Sequence, residues 1–282
     1  MSSLGVRRRR RLATDLSAVG STICALVLVF PVVWMIMTSF KPTDEIFSPV
    51  PMLLPENATL SNYVDLLSQG RFLQSLGNSV VVAVTTAVAA VVISTLFAYA
   101  MSRFRMIGRT PIFATLFVTQ VFPSFLLLIP IFLIFSRLQL TNTMIGLILA
   151  HLTFAIPFST MLLKSYFDAL PVEVEEAALI DGCGPLGVVF RVVVPIARPA
   201  LAAVGLFSFI LSWQEFLFAT TLIQEPGLRT VPVALNLMVG ENATLWGQLM
   251  AGATLVTLPA VALFLTFQRH LVAGLTAGSV KG

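Results

Sequence analysis

Six stretches of the chain, residues 17–40, 78–102, 111–136, 144–163, 200–223 and 248–268, carry no charged side chain apart from Glu215. Each is long enough to cross the hydrocarbon core of a bilayer as an α-helix, which takes about 20 predominantly apolar residues. Buried β-strands would use such runs only in pieces, so their length favours helix. The expected fold is an all-α polytopic membrane protein with six transmembrane helices. Composition closes off the soluble alternatives: 57% of the 282 residues are hydrophobic and 11% charged, where an ordinary soluble domain is about 25% charged. A cytosolic enzyme, a secreted disulfide scaffold and a disordered tail are excluded on that ground. A single transmembrane domain over 17–268 is expected, between a basic segment at 1–16 and a tail at 269–282.

The loops between the runs assign an orientation. Of 17 Lys and Arg residues, 13 fall on one side: Arg7 to Arg11, Arg103, Arg105, Arg109, Lys164, Arg191, Arg198, Arg269 and Lys281. Four, Lys41, Arg71, Arg137 and Arg229, fall on the other. Positive charge is retained in the cytoplasm during insertion, so both termini are expected to be cytoplasmic. The first run is too long for the apolar region of a signal peptide, and no small-residue cleavage site appears near its end. Arg7 to Arg11 then read as an anchor on the anionic lipid bilayer rather than as a nucleic-acid patch. Cys24 and Cys183 lack metal-ligand spacing, and no metal site is expected.

Two connections are longer than joining helices requires. The outer one, 41–77, holds Pro42, Pro49, Pro51 and Pro55. The inner one, 164–199, is the most polar segment of the second half. Within it, Pro171 suits a first helical turn, where its missing N–H is harmless. Glu173, Glu175 and Glu176 follow and place negative charge near the positive end of the helix dipole. Gly182 and Gly184 end that helix. Pro185 then opens a second short helix, expected to run through Val194 and stop at Pro195. The pair forms a helix–turn–helix at the inner membrane surface. It lacks the basic face that reading DNA requires, and no nucleic acid partner is expected.

Glu176-Ala177-Ala178, then Gly182 after three residues and Val192-Val193-Val194-Pro195 after nine more, resemble the EAA loop of permease subunits in binding-protein-dependent ABC importers. Valines stand at 192 and 194 where the family has Ile and Leu, and Asp181 before the glycine is typical of it. Phe30-Pro31-Val32-Val33-Trp34, Thr38-Ser39-Phe40-Lys41-Pro42 and the ending from Gln268-Arg269-His270 to Gly282 resemble the sugar-importing branch. They are most similar to the second permease of maltose-type and glycerol-phosphate-type systems. The resemblance implies a bacterial cytoplasmic (inner) membrane protein with four partners: a second homologous permease, two nucleotide-binding ATPase subunits and an extracytoplasmic solute-binding protein. It implies an ATPase-coupling loop whose residues are Glu175, Glu176, Ala177, Ala178, Asp181, Gly182 and Pro195. No catalytic residue and no cofactor belong to this chain on that reading; ATP and Mg are used by the ATPase partners. The chain itself has no phosphate-cradling glycine loop ending in Lys-Ser or Lys-Thr.

Glu215, in Trp213-Gln214-Glu215-Phe216, is the acid within the apolar runs, and desolvating it is costly enough to ask for a function. The family has Asn where Gln214 stands. Gln120, Trp213, Gln214 and Glu215 are candidates for a solute path or gate, with a bundle-stabilising hydrogen bond as the plainer role for Glu215. Asn78 is a further candidate to face a cavity. His151 has no second ligand at metal spacing and reads as a hydrogen-bonded packing residue. Pro123, Pro130, Pro157 and Pro259 are expected to interrupt helices. The competing function is an ion-coupled secondary transporter of a small polar solute. That class needs several membrane acids or broken helices with coupling-ion ligands, and one acid without an inverted repeat argues against it. An intramembrane enzyme needs a nucleophile–base or metal constellation, and none has diagnostic spacing.

Overall fold

A computed structural model of the chain describes the backbone of residues 3–240 and 244–277 and the side chains of residues 17–240 and 244–268. The side chains of the basic anchor at 7–11 and of the tail at 269–282 lie outside those described. Among the described residues the chain is all-helical, with no β-strand. The first helices are α1 (Ser3–Ser39), α2 (Thr43–Ile46), α3 (Ser61–Ser68) and α4 (Arg71–Arg103). Next come α5 (Arg109–Val121), α6 (Leu128–Arg137), α7 (Met144–Asp168), α8 (Glu173–Ile180), α9 (Pro185–Val188) and α10 (Val194–Ile196). The last are α11 (Arg198–Trp213), α12 (Leu217–Leu222), α13 (Val231–Asn236) and α14 (Trp246–Ala277).

Four helices are long and apolar enough to cross a membrane unbroken: Ser17–Ser39 of α1, all of α4, all of α7, and Trp246–Gln268 of α14. The number rises to six if each of two bent pairs counts as one span. Two apolar runs are not the continuous helices their length suggests. In 111–136 the chain bends by 105° between Arg109–Val121 and Ser124–Arg137. Pro123 is the cause: it has no N–H to give and it forces Phe122 into extended backbone, at φ −75 and ψ 128. In 200–223, α11 stops at Trp213 and α12 starts at Leu217. There the Glu215 carboxylate accepts the N–H groups of Phe218 at 2.8 Å and Ala219 at 3.0 Å. A side chain has replaced the carbonyls that a continuous helix would use. The other prolines interrupt less than expected. Pro130 sits in the first turn of α6, and Pro157 and Pro259 lie inside α7 and α14 without breaking them.

The chain divides into two compact units, one of Met1–Gln69 with Leu237–Leu255 and the other of Gly70–Asn236 with Val256–Gly282. In the first, α1 exposes Ile23, Leu26, Val27 and Leu28, and the segment that follows it folds back on its end. Asn62 Nδ2 donates to the carbonyls of Ser39 at 2.9 Å and Lys41 at 2.8 Å. Buried Lys41 donates to the Met52 carbonyl and lies 4.8 Å from the Trp34 ring centre. A Cβ on Gly247 would sit 2.1 Å from Asn62 Oδ1, so only glycine lets α14 begin this close.

In the second unit α4 packs along α7 and α11. Ala83, Ala90 and Ala98 of α4 and Ala150 and Ala155 of α7 have no exposed surface. Lipid tails are as apolar as leucine, so membrane helices associate through close packing, which small residues permit. A Ser159–Ser208 contact at 3.3 Å adds a polar link between α7 and α11. Asn78 donates to the carbonyls of Gly227 at 2.9 Å and Arg229 at 3.0 Å, fixing the turn before α13 to the start of α4.

Candidate functional site

The 164–199 segment forms two helices, α8 and the one that α9 opens, set at a glycine turn. At the end of α8, Cys183 N–H donates to the Ala178 carbonyl at 3.0 Å and Gly182 N–H to the Leu179 carbonyl at 3.1 Å. This is the Schellman pattern, which needs a left-handed residue after the helix. Gly182 provides it at φ +87, a conformation that a Cβ penalises by about 1–2 kcal/mol. Of the residues expected here, Glu176, Ala177, Asp181 and Gly182 are exposed, and Ala178 is half-buried against the core. Around them Leu179, Ile180, Leu186 and Phe190 also lie open, with Ile180 at 86% exposure. Single exposed apolar residues are ordinary, but a group of them on one protrusion marks an interaction surface.

Glu175 behaves differently from its neighbour. It is buried, and its Oε1 accepts from Arg103 Nε at 2.9 Å and Nη2 at 2.7 Å. Its Oε2 accepts from the Tyr99 hydroxyl at 2.9 Å. Arg103 also donates to the Leu170 carbonyl at 3.3 Å. The end of α4 is thereby tied to the start of the coupling segment. Neither Arg103 nor Tyr99 carried a sequence signal; both lie in another span, over 70 residues away.

The second helix of the segment is rooted in the unit's core. Val188, Val189 and Val193 pack with Ala98, Leu163, Phe167 and Val204. It runs past its expected stop at Pro195 to Ile196. Between α9 and α10, Val189–Val193 forms a π-helical turn in which Val194 N–H reaches the Val189 carbonyl. One extra residue in the turn brings in Pro195, which has no N–H of its own to donate. At Ala197 the chain bends by 83° into α11. The exposed loop is thus continuous with a buried helix and then with a candidate span.

Both helix breaks of the second unit open on one cavity of about 370 Å³. The break before α6 contributes Phe122, Pro123 and Ser124, and the break before α12 contributes Glu215. Irregular backbone at membrane depth is tolerated where protein buries it or where it lines a cavity. Gln120 is on the wall, its Nε2 3.4 Å from the Phe154 carbonyl. Buried His151 is there too. Its Nε2 lies 3.2 Å from Glu215 Oε2 and its Nδ1 2.7 Å from Ser212 Oγ. His151 is therefore hydrogen-bonded as expected, but it also belongs to the site, which sequence spacing concealed because its partner is 64 residues away. Trp213 is elsewhere: it is buried, stacked on Phe209 and donating to the Val256 carbonyl at 3.2 Å. Gln214 is exposed and, like Asn78, does not line this cavity.

The family model described as "Binding-protein-dependent transport system inner membrane component" matches residues 90–277. The chain is 38% identical to the inner membrane ABC transporter permease protein YcjP of Escherichia coli (strain K12), over 93% of this chain and 95% of that one. It is 35% identical to the trehalose/maltose transport system permease protein MalG of Thermococcus litoralis, over 98% of this chain and 99% of that one. In fold it is similar to a chain in the crystal structure of a bacterial ABC transporter involved in the import of the acidic polysaccharide alginate. The TM-score is 0.83 at 24% identity, over 94% of this chain and 98% of that one.

Proposed function

The chain belongs to the family of binding-protein-dependent transport system inner membrane components, and on that premise we propose that it is the permease subunit of an ATP-driven importer that moves a sugar or related carbohydrate into the cytoplasm. It pairs with a second, homologous permease in a bacterial cytoplasmic membrane. An ATPase subunit docks under each, and a solute-binding protein delivers cargo from outside. Both termini and the 164–199 segment face the cytoplasm, and the 41–77 loop faces outward.

The observation that carries this reading is the build of the coupling segment. Its first helix is exposed and bears apolar side chains around Glu176 and Ala177; its second leaves Leu186 and Phe190 open on one face and packs Val188, Val189 and Val193 into the core with the other. Such a part receives force from a soluble partner and passes it to helices that the partner cannot reach. The Glu175–Arg103 pair adds a tether to α4, so displacement of α8 engages α4, α7 and α11 together. ATP binding draws the ATPases together and favours one arrangement of the spans; hydrolysis releases it. The partner shifts the equilibrium only by the difference in its contacts with the two states.

Cross-linking tests the docking. An Ala177→Cys variant is expected to form a disulfide with a cysteine on the ATPase surface and to lose it when α8 is masked by antibody. Uptake by proteoliposomes holding the permease pair without ATPases would contradict the proposal.

A further inference from the structure

We propose that the cavity at the two helix breaks is a binding site for a neutral saccharide unit and that it rejects anionic sugars; this deepens the importer reading and rests on it. The first observation is charge. Among the described residues lining the cavity, none is Lys or Arg, and Glu215 places a carboxylate on its wall. Glu215 and Ser212 engage both nitrogens of His151, which leaves neither free to donate to a ligand. A uronate or a sugar phosphate would bring a second negative charge into a site of low dielectric with nothing to pair it. Burying an unpaired charge is costly.

The second observation is the character of the walls. Phe122, Phe154 and Phe218 supply aromatic surface, and Phe154 and Phe218 have ring centres 5.3 Å apart. Gln120, Thr119 and Ser124 supply amide and hydroxyl groups. Small-molecule sites are mostly apolar with a few placed polar groups. A sugar ring matches that mixture, with C–H groups on its faces and hydroxyls around its rim.

The third is construction. Glu215 spends its hydrogen bonds on His151, Phe218 and Ala219. It is held in place by the elements around the cavity. Gln120, exposed on the cavity wall, is left as the adaptable contact. Its hydrogen bond to the Phe154 carbonyl is long, at 3.4 Å.

The test is binding to the complete complex in nanodiscs. The probes are trehalose, maltose and diacetylchitobiose, set against disaccharides of uronic acid. At least one neutral probe is expected to bind and the uronates are not. Gln120→Ala is expected to weaken the neutral probe by about three- to tenfold, the equivalent of one lost neutral hydrogen bond. Gln120→Lys, at an exposed position, is expected to admit a uronate. Uronate binding by the unaltered complex would overturn the proposal, as would neutral binding that neither variant changes. Neutral binding with this Gln120 dependence in a complex that ATP never drives would uphold the site and overturn the importer reading alone.

Discussion

Glu175 and Glu176 are adjacent acids in one helix, and they do different things. Glu176 stays in solvent, while Glu175 turns inward to Arg103 and Tyr99. Removing one partner of a buried ion pair leaves an uncompensated charge and costs about 3–5 kcal/mol. Arg103→Met is therefore expected to lower the stability of the detergent-solubilised chain by about that amount. Adding Glu175→Leu to it should recover most of the loss, because an apolar replacement of the whole pair is often neutral. Glu176→Gln should stay within about 0.5 kcal/mol, as surface changes do. Denaturant titration with helicity as the readout checks all three. In the sequence, Glu173, Glu175 and Glu176 read as one group of acids at a helix start. Which of them is buried depends on α4, and local spacing holds no record of that. Gly182 was legible for the opposite reason: a left-handed helix end is a local requirement, and glycine is its usual answer.

At the scale of elements, run length found the spans and backbone direction escaped it. Four runs became unbroken helices, with α4 beginning at Arg71 and α7 ending at Asp168, beyond the apolar runs at 78–102 and 144–163. The other two contain a break, since hydropathy counts apolar side chains and is blind to a chain that turns. Pro123 was a visible sign of the first break, but Pro157 and Pro259 are accommodated inside continuous helices, so a proline alone does not tell which. The second break is made by Glu215, whose carboxylate starts α12. Losing such a cap costs about 1 kcal/mol. Glu215→Ala is accordingly expected to speed amide exchange at Phe218 and Ala219 roughly fivefold, while exchange in α4 stays unchanged. Equal protection in the variant would show that α12 needs no cap. The cavity itself could not be read from the sequence, because Gln120, His151 and Glu215 come from three different apolar runs and meet only once two of them bend.

For the whole molecule, a low content of charge and the placement of each charge lead to a permease driven from outside itself. Lys and Arg divide 13 to four between the two sets of loops. Leu186→Cys, on the exposed coupling segment, should thus react with an impermeant thiol reagent in inverted vesicles and not in right-side-out ones. Labelling from the outer face alone would reverse the orientation. The central claim is that ATP hydrolysis elsewhere reaches this chain through the turn at Gly182. The most direct measurement is the ratio of sugar taken up to ATP hydrolysed, in proteoliposomes of the full complex, for the native chain and for Gly182→Leu. A side chain at φ +87 strains the turn without removing the exposed helix. Hydrolysis should persist in the variant while uptake per ATP collapses; a ratio equal to that of the native chain would contradict the coupling role of the loop.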